Sequence, residues 1–259
     1  VVQALHGWGI YKTLKQEQGD IETLNSIDHV VSISRSSDLL LKRKGLKNKE
    51  SPIIYNGIEE YKSQEGKITD NDLLEIIKLK KQGYFIGEIV STLDQRKNQR
   101  FILETIKTLS KKLKIMFFFI RERNRGNDKF CEFFKYFRNG ELYRVQKNGW
   151  EFINHSDLLI SSSKSEGKPP IVLIEAFLSN TLLLASNTPE NKKAILEGSN
   201  WFLFKCDNIS DLKDKITNIY HIKDPEKITS ESHKFFKDNF PSTDLMKNMR
   251  RFTKSYLAR

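Results

Sequence analysis

Cysteine is nearly missing from this chain: Cys131 and Cys206 are the only two in 259 residues. Two such thiols cannot build a disulfide framework or a zinc cluster, so both read as ordinary thiols of a reducing compartment. Long apolar runs are missing as well. The longest, at residues 115–120, is strand-sized and far short of the roughly 18 residues that a membrane-spanning helix needs. No basic-then-apolar leader opens the sequence, so secretion is not expected and a cytoplasmic location is. Acidic charge is in short supply: 33 Asp and Glu stand against 44 Lys and Arg, a formal charge of +11. Such a surface attracts nucleic acid, acidic lipid or phosphorylated small molecules. Zinc-finger spacing, aromatic-basic RNA motifs and leucine heptads are all absent, so nucleic acid is not an expected partner. The densest basic cluster is Lys42-Arg43-Lys44 with Lys47 and Lys49 behind it. It makes an anionic membrane surface, met through Lys42–Lys49, an expected peripheral partner.

What is present argues for a packed protein. Hydrophobic residues make up 38% and aromatics 11%, enough for a core in one large domain or two small ones. From residue 84 onward, short apolar runs alternate with helical periodicity. Strands are expected at 84–90, 114–120, 142–146, 157–161 and 181–185. Helices are expected at 97–112, 129–137, 149–154, 170–178, 190–196, 209–222, 231–239 and 242–257. Strands separated by helices signal a parallel sheet covered on both faces, a doubly wound α/β domain. Before it, strands are expected at 1–5, 29–34 and 52–54, with a basic helix at 36–44. That piece is too small for a full α/β domain and reads as the end of a larger one. The expected organisation is 1–62 as that first unit, 63–82 as linker with a short helix at 71–80, 83–241 as the main domain and 242–259 as a closing helix.

The most informative stretch runs from Asp157 to Ala176, with the sequence DLLISSSKSEGKPPIVLIEA. A buried strand ends in small polar residues, Glu166-Gly167 follows, and a helix opens on proline. In open α/β sheets ligands bind beyond the carboxyl ends of the strands. Pro170 has its φ preset for a helix start and lacks an N–H that would be unpaired there. The remaining free N–H groups of that turn favour a bound anion such as a diphosphate. A ligand at the loop would reach both Glu166 and Glu175. Glu175 lies among Leu173, Ile174, Ala176 and Phe177, where a carboxylate needs a partner.

This run resembles the signature of the GT-B glycosyltransferases of family 4, the retaining sugar-nucleotide enzymes. Further landmarks occur in order: Val31-Ser32-Ile33-Ser34, Ile54-Tyr55-Asn56-Gly57-Ile58, Phe85-Ile86-Gly87, Arg96-Lys97-Asn98 and Asp157. The resemblance implies a GT-B architecture in which 83–241 is the Rossmann-like nucleotide-sugar domain and 1–62 the end of the acceptor-side domain. It implies a UDP- or GDP-linked sugar as donor and a carbohydrate or lipid-linked acceptor of a surface polysaccharide. By the same resemblance Glu175 would bind the ribose hydroxyls and Glu166 would approach the transferred sugar. Lys97 would offset charge building on the departing diphosphate. Gly87 would let the backbone approach the phosphates, with Arg96, Gly167, Lys168 and Ile171 completing the donor site. His6 would face the cleft as a third catalytic residue. No cofactor or metal is implied, and no clear Asp-x-Asp cluster is present. Four departures stand out, one being that the glycine pair expected after the second strand is absent from Phe119-Ile120-Arg121-Glu122. Glu88 occupies a position where arginine is frequent, and an acid there is expected to repel a diphosphate. Eight residues separate Glu166 from Glu175 where seven are usual, and Asn180 replaces a customary glycine. The competing readings are a degenerate, non-catalytic GT-B relative acting as a binding subunit, and a basic nucleic-acid binder resting on charge alone.

Overall fold

The structure, a computed structural model, describes residues 2–5, 12–32, 35–47, 71–91, 95–121, 140–144, 149–164, 171–189, 191–192 and 202–239. The chain forms two compact units, Val1–Glu59 together with Phe240–Arg259, and Glu60–Asn239.

In the first unit, strands β1 (Val2–Leu5) and β2 (His29–Ser32) pair in parallel, with Val2 opposite His29 and Leu5 opposite Ser32. Helix α1 (Leu14–Asn25) connects them, and no helix was expected there. Its signal was nevertheless local: Thr13 and Gln16 form a reciprocal capping box, the T-x-x-Q spacing that opens a helix. Helix α2 (Arg35–Lys44) follows. Ile21, Leu24, Val30, Leu41 and Leu46 close a small core among these elements. Much of the basic cluster is already paired. Lys42 lies 2.9 Å from Asp38 and Lys44 lies 2.6 Å from Glu17.

The second unit is built on six parallel strands. They are β3 (Phe85–Val90), β4 (Ile115–Arg121), β5 (Gly140–Arg144), β6 (Leu158–Ser161), β7 (Leu182–Ser186) and β8 (Phe202–Phe204). Their spatial order is β5-β4-β3-β6-β7-β8. The chain builds outward from β3 in one direction, then returns and builds outward from β6 in the other, which is the doubly wound arrangement. Side-chain alternation explains why helices must cover both faces. Phe117, Phe119, Leu158, Ile160, Leu182 and Leu184 point into one core. Helices α4 (Gln99–Lys107) and α7 (Ile209–Tyr220) seal that face with Phe101, Ile102, Leu212 and Ile216. Phe118, Ile120, Leu159 and Leu183 point the other way. There they meet α3 (Asn71–Lys81), α5 (Gly149–Asn154) and α6 (Ile171–Leu178). Helix α8 (Pro225–Asn239) packs on α6 and β7, and a ring nitrogen of His233 bonds the Phe177 carbonyl at 3.1 Å.

Several expectations shift at their edges for visible reasons. Helix α3, expected within a linker, belongs to the domain: Leu73 and Ile76 are buried against Ile86 and Phe118. The helix expected at 97–112 is split into a 3₁₀ turn (Gln95–Lys97) and α4, because Asn98 between them adopts φ +55°. Helix α8 starts before 231, with Pro225 at its first position and the Asp224 carboxylate accepting from the Lys227 N–H at 3.1 Å. Strand β8 was not anticipated, since a three-residue apolar run carries almost no periodicity. The helices expected at 129–137 and 242–257, most of that at 190–196 and the strand at 52–54 lie outside the described residues. No helix among the described residues is long and apolar enough to cross a membrane.

Candidate functional site

Where the chain reverses direction, β3 and β6 lie side by side, with Gly87 opposite Leu158 and Glu88 opposite Leu159. Beyond the carboxyl ends of these two strands the connections diverge to opposite sides, leaving the place where open α/β sheets bind ligands. The segments that meet there are those after β3 and β6. They are joined by backbone groups. The Lys164 N–H donates to the Arg96 carbonyl at 2.9 Å, and the Ser162 hydroxyl donates to the Lys97 carbonyl at 2.6 Å. Arg96 and Lys97 therefore sit on a turn whose backbone is held by the β6 segment.

Behind the turn, a buried polar layer caps the strand ends. The Ser186 hydroxyl donates to the Ser163 carbonyl at 2.5 Å, and the Asn191 amide donates to the Ser186 carbonyl at 2.9 Å. Ser162, Ser163, Ser186 and Asn191 are all buried. A third segment, after β8, reaches the same edge. The Asp207 carboxylate accepts from the Asn98 amide and from the Lys164 ammonium, each at 2.9 Å. Sequence reasoning noted the small polar residues at the end of β6 but missed Asp207. Its signal was weak: the Asp207-Asn208 pair before a helix is a turn cue, and nothing local connects it to Asn98.

Glu175 lies on α6, the helix that follows β6. It is half-buried, burial pushes its carboxyl upward from the ordinary range, and no hydrogen-bond or ion-pair partner for it occurs among the described residues. Leu173, Ala176 and Phe177 take the core-facing positions around it. Helix α6 runs without interruption over Ile171–Leu178 and carries Glu175 in its second half. His6, Glu166, Gly167 and Lys168 lie outside the described residues, as does the side chain of Ile171.

Two sequence departures have local explanations. Asn180 adopts φ +52° and closes α6 in a Schellman arrangement. Its N–H meets the Phe177 carbonyl at 3.2 Å, and that of Thr181 meets the Ala176 carbonyl at 2.9 Å. Asparagine thus fills the left-handed position that glycine commonly takes. Glu88 was expected to repel a diphosphate. Instead it is fully buried on the sheet face shared with Ile86 and Phe118, near Ser156, Lys80 and Asp157. Burial pushes its carboxyl up to about 8, outweighing the opposing pull of the Ser156 hydroxyl and the Lys80 ammonium. At neutral pH it is mostly protonated and carries little charge. Gly87 is buried in the middle of β3, and a Cβ there would stand 2.5 Å from Cε1 of Phe117. The close approach visible at this glycine is that of an aromatic ring. Asp157 serves the amino end of the sheet, accepting from the Ile86 N–H at 2.7 Å and pairing with Lys80 at 2.9 Å. A ring nitrogen of His155 bonds the Glu151 carbonyl at 2.7 Å, a local contact at the end of α5. No group of three or more potential metal ligands occurs among the described residues.

Known proteins resemble this chain in sequence and in fold. The uncharacterized glycosyltransferase MJ1069 of Methanocaldococcus jannaschii is 25% identical over 218 residues, covering 82% of this chain and 55% of the relative. The chain thus spans little more than half the length of that protein. The crystal structure of Anabaena Alr3699/HepE in complex with UDP-glucose superposes with a TM-score of 0.81 at 16% identity, over 98% of this chain and 72% of that one. Sucrose-phosphate synthase from Thermosynechococcus elongatus gives 0.77 at 12% identity, over 99% and 68%. These likenesses establish the GT-B fold. The family described as glycosyl transferases group 1 is matched over residues 74–235, well over half of the sequence, and the chain belongs to it.

Proposed function

We propose that this chain is the donor-binding part of a retaining, family 4 glycosyltransferase. In this reading it moves a hexosyl unit from a UDP- or GDP-sugar to a saccharide or glycolipid acceptor of a surface polysaccharide. The observation that carries the proposal is the turn bearing Arg96 and Lys97, bonded to the segment after β6 at the reversal of the sheet. A diphosphate placed there meets two cations on a backbone already fixed in position, so little reorganisation is needed as charge builds on the leaving group. Glu175 supports the reading too. A half-buried carboxylate with its pKa raised by burial is completed by a ligand offering two hydroxyls, as a ribose does. The HepE complex with UDP-glucose favours a UDP-linked donor.

In the proposed reaction the bond from the anomeric carbon to the phosphate oxygen breaks, and the acceptor oxygen bonds that carbon on the same face. The acceptor's proton passes to the departing phosphate. Lys97 offsets the charge that develops; by the family resemblance Glu166 and His6 would act on the transferred sugar, and Gly87, Gly167, Lys168 and Ile171 would complete the donor site. The phosphate charge is met by cationic side chains and N–H groups, so no metal is invoked. Peripheral docking on an anionic membrane through Lys42–Lys49 belongs to the same proposal. It is supported by exposed Leu39 and Leu40 on α2 beside that cluster, and flotation with acidic vesicles at low salt checks it.

Calorimetric titration with UDP and GDP tests the donor site. Binding of at least one nucleotide below the millimolar range is expected, weakened ten-fold or more by Glu175→Ala. Failure of both to bind at millimolar levels, or an affinity indifferent to that substitution, would contradict the proposal.

A further inference from the structure

Among the described non-glycine residues, three have positive φ: Asn98, Asn180 and Asp207. Asn180 closes a helix. The other two, at +55° each, lie 109 positions apart in sequence and are bonded to each other through their side chains. Left-handed backbone at a residue with a Cβ is unfavourable and persists where its surroundings over-determine it. Asn98 precedes α4 at the N-cap position, yet its side chain makes no capping bond; the amide is turned to Asp207 instead. On the carboxylate, one oxygen takes the Asn98 amide and the other takes the Lys164 ammonium. Three consecutive residues of the turn are thereby tethered from outside. Arg96 is held by its carbonyl on the Lys164 N–H, Lys97 by its carbonyl on the Ser162 hydroxyl, and Asn98 by its side chain on Asp207.

We infer that Asp207 is a positioning residue: its carboxylate clips the segments after β3, β6 and β8 together and thereby sets the placement of Lys97. The inference rests on the proposal that the Lys97 turn receives the donor's diphosphate. An isolated ion pair as exposed as Lys164–Asp207, whose side chains are 48% and 54% accessible, adds little to stability. The consequence of the clip is therefore positional. Lys164 and Asn98 hold the carboxyl of Asp207 below the usual carboxylate range, so the clip stays ionised at working pH. Its negative charge is met by the Lys164 ammonium at 2.9 Å, which limits repulsion of an incoming phosphate.

The test uses Asp207→Gly, which tolerates the left-handed backbone but carries no carboxylate. The melting temperature is expected to stay the same or rise slightly. Hydrogen exchange of the amides at 95–98 and 162–164 is expected to quicken several-fold. Sugar transfer is expected to fall about ten-fold in kcat, with a smaller change in KM. Asn98→Gly should reproduce the loss, and the double variant should be no worse than either single one, since both remove the same bond. Asp207→Asn, which keeps an acceptor for Asn98, should recover much of the activity. Unchanged exchange at 95–98 in Asp207→Gly would overturn the clip whatever the activity. Quickened exchange with undiminished kcat would overturn the positioning role alone. Absence of UDP and GDP binding by the unaltered protein would overturn the donor-site reading, and the positioning role with it, while the exchange measurement still decides the clip.

Discussion

Replacing Glu88 with glutamine will abolish the loss of stability that this carboxyl imposes on the unaltered protein between about pH 5 and pH 8. Glu88 is wholly buried on β3, and burial raises its pKa from 4.5 to about 8 against the weaker opposing pull of the Ser156 hydroxyl and the Lys80 ammonium. The folded protein thus holds this proton more tightly than the unfolded chain does. Below about pH 4.5 both states carry it and the group contributes fully to stability. As the pH climbs, the unfolded chain releases its proton first, and the contribution is lost up to about pH 8. The gap between the two values corresponds to roughly 5 kcal/mol in all, of which roughly 3.5 kcal/mol falls between pH 5 and pH 8. Glutamine cannot titrate, so the stability of Glu88→Gln relative to the parent should rise with pH by that amount across the window. Urea denaturation of both proteins at pH 5, 6, 7 and 8 measures it. Parallel curves would show that the carboxyl ionises freely in the fold.

The second large effect is on activity. Lys97→Ala is expected to lower kcat for sugar transfer by roughly 10²- to 10³-fold, the scale of losing one preorganised group at a developing charge. The bonds that fix the turn run through the carbonyls of Arg96 and Lys97, which alanine retains. The substitution therefore removes the ammonium while leaving those bonds available. KM for the nucleotide sugar should change far less than kcat, because the charge that Lys97 answers is greatest in the transition state. Steady-state kinetics with a radiolabelled nucleotide sugar, alongside a thermal melt, read both quantities. A rise confined to KM would reassign Lys97 to ground-state binding, and a lowered melting temperature would point to damage to the turn.

Much of the second unit was legible because its strands are apolar and short and its helices are amphipathic. The runs Phe85–Val90, Ile115–Arg121 and Leu182–Ser186 stand within a residue of where composition places them. Strand order was less accessible, since a parallel register depends on contacts far apart in sequence, such as Gly87 with Leu158. The fate of single residues depended on direction. Glu88 reads as a charge near a phosphate from its place beside Gly87, but a strand sends neighbouring side chains to opposite faces, and Glu88 points into the core. The stretch 63–82 reads as a linker because its apolar residues are interspersed among polar and charged ones, although Leu73 and Ile76 are buried. Asp207 was illegible for a further reason. Its role is created by the meeting of three strand ends, and each of the three segments looks like an ordinary polar turn in isolation.

The central claim is that a nucleotide sugar binds at the carboxyl edge of the six-stranded sheet, where β3 and β6 part. A crystal structure with UDP bound measures this most directly. The account predicts the diphosphate against the turn carrying Arg96 and Lys97 and the ribose hydroxyls on the Glu175 carboxylate. A nucleotide seated at the amino edge near Lys80 and Asp157, or one whose diphosphate lies away from Lys97, would contradict it.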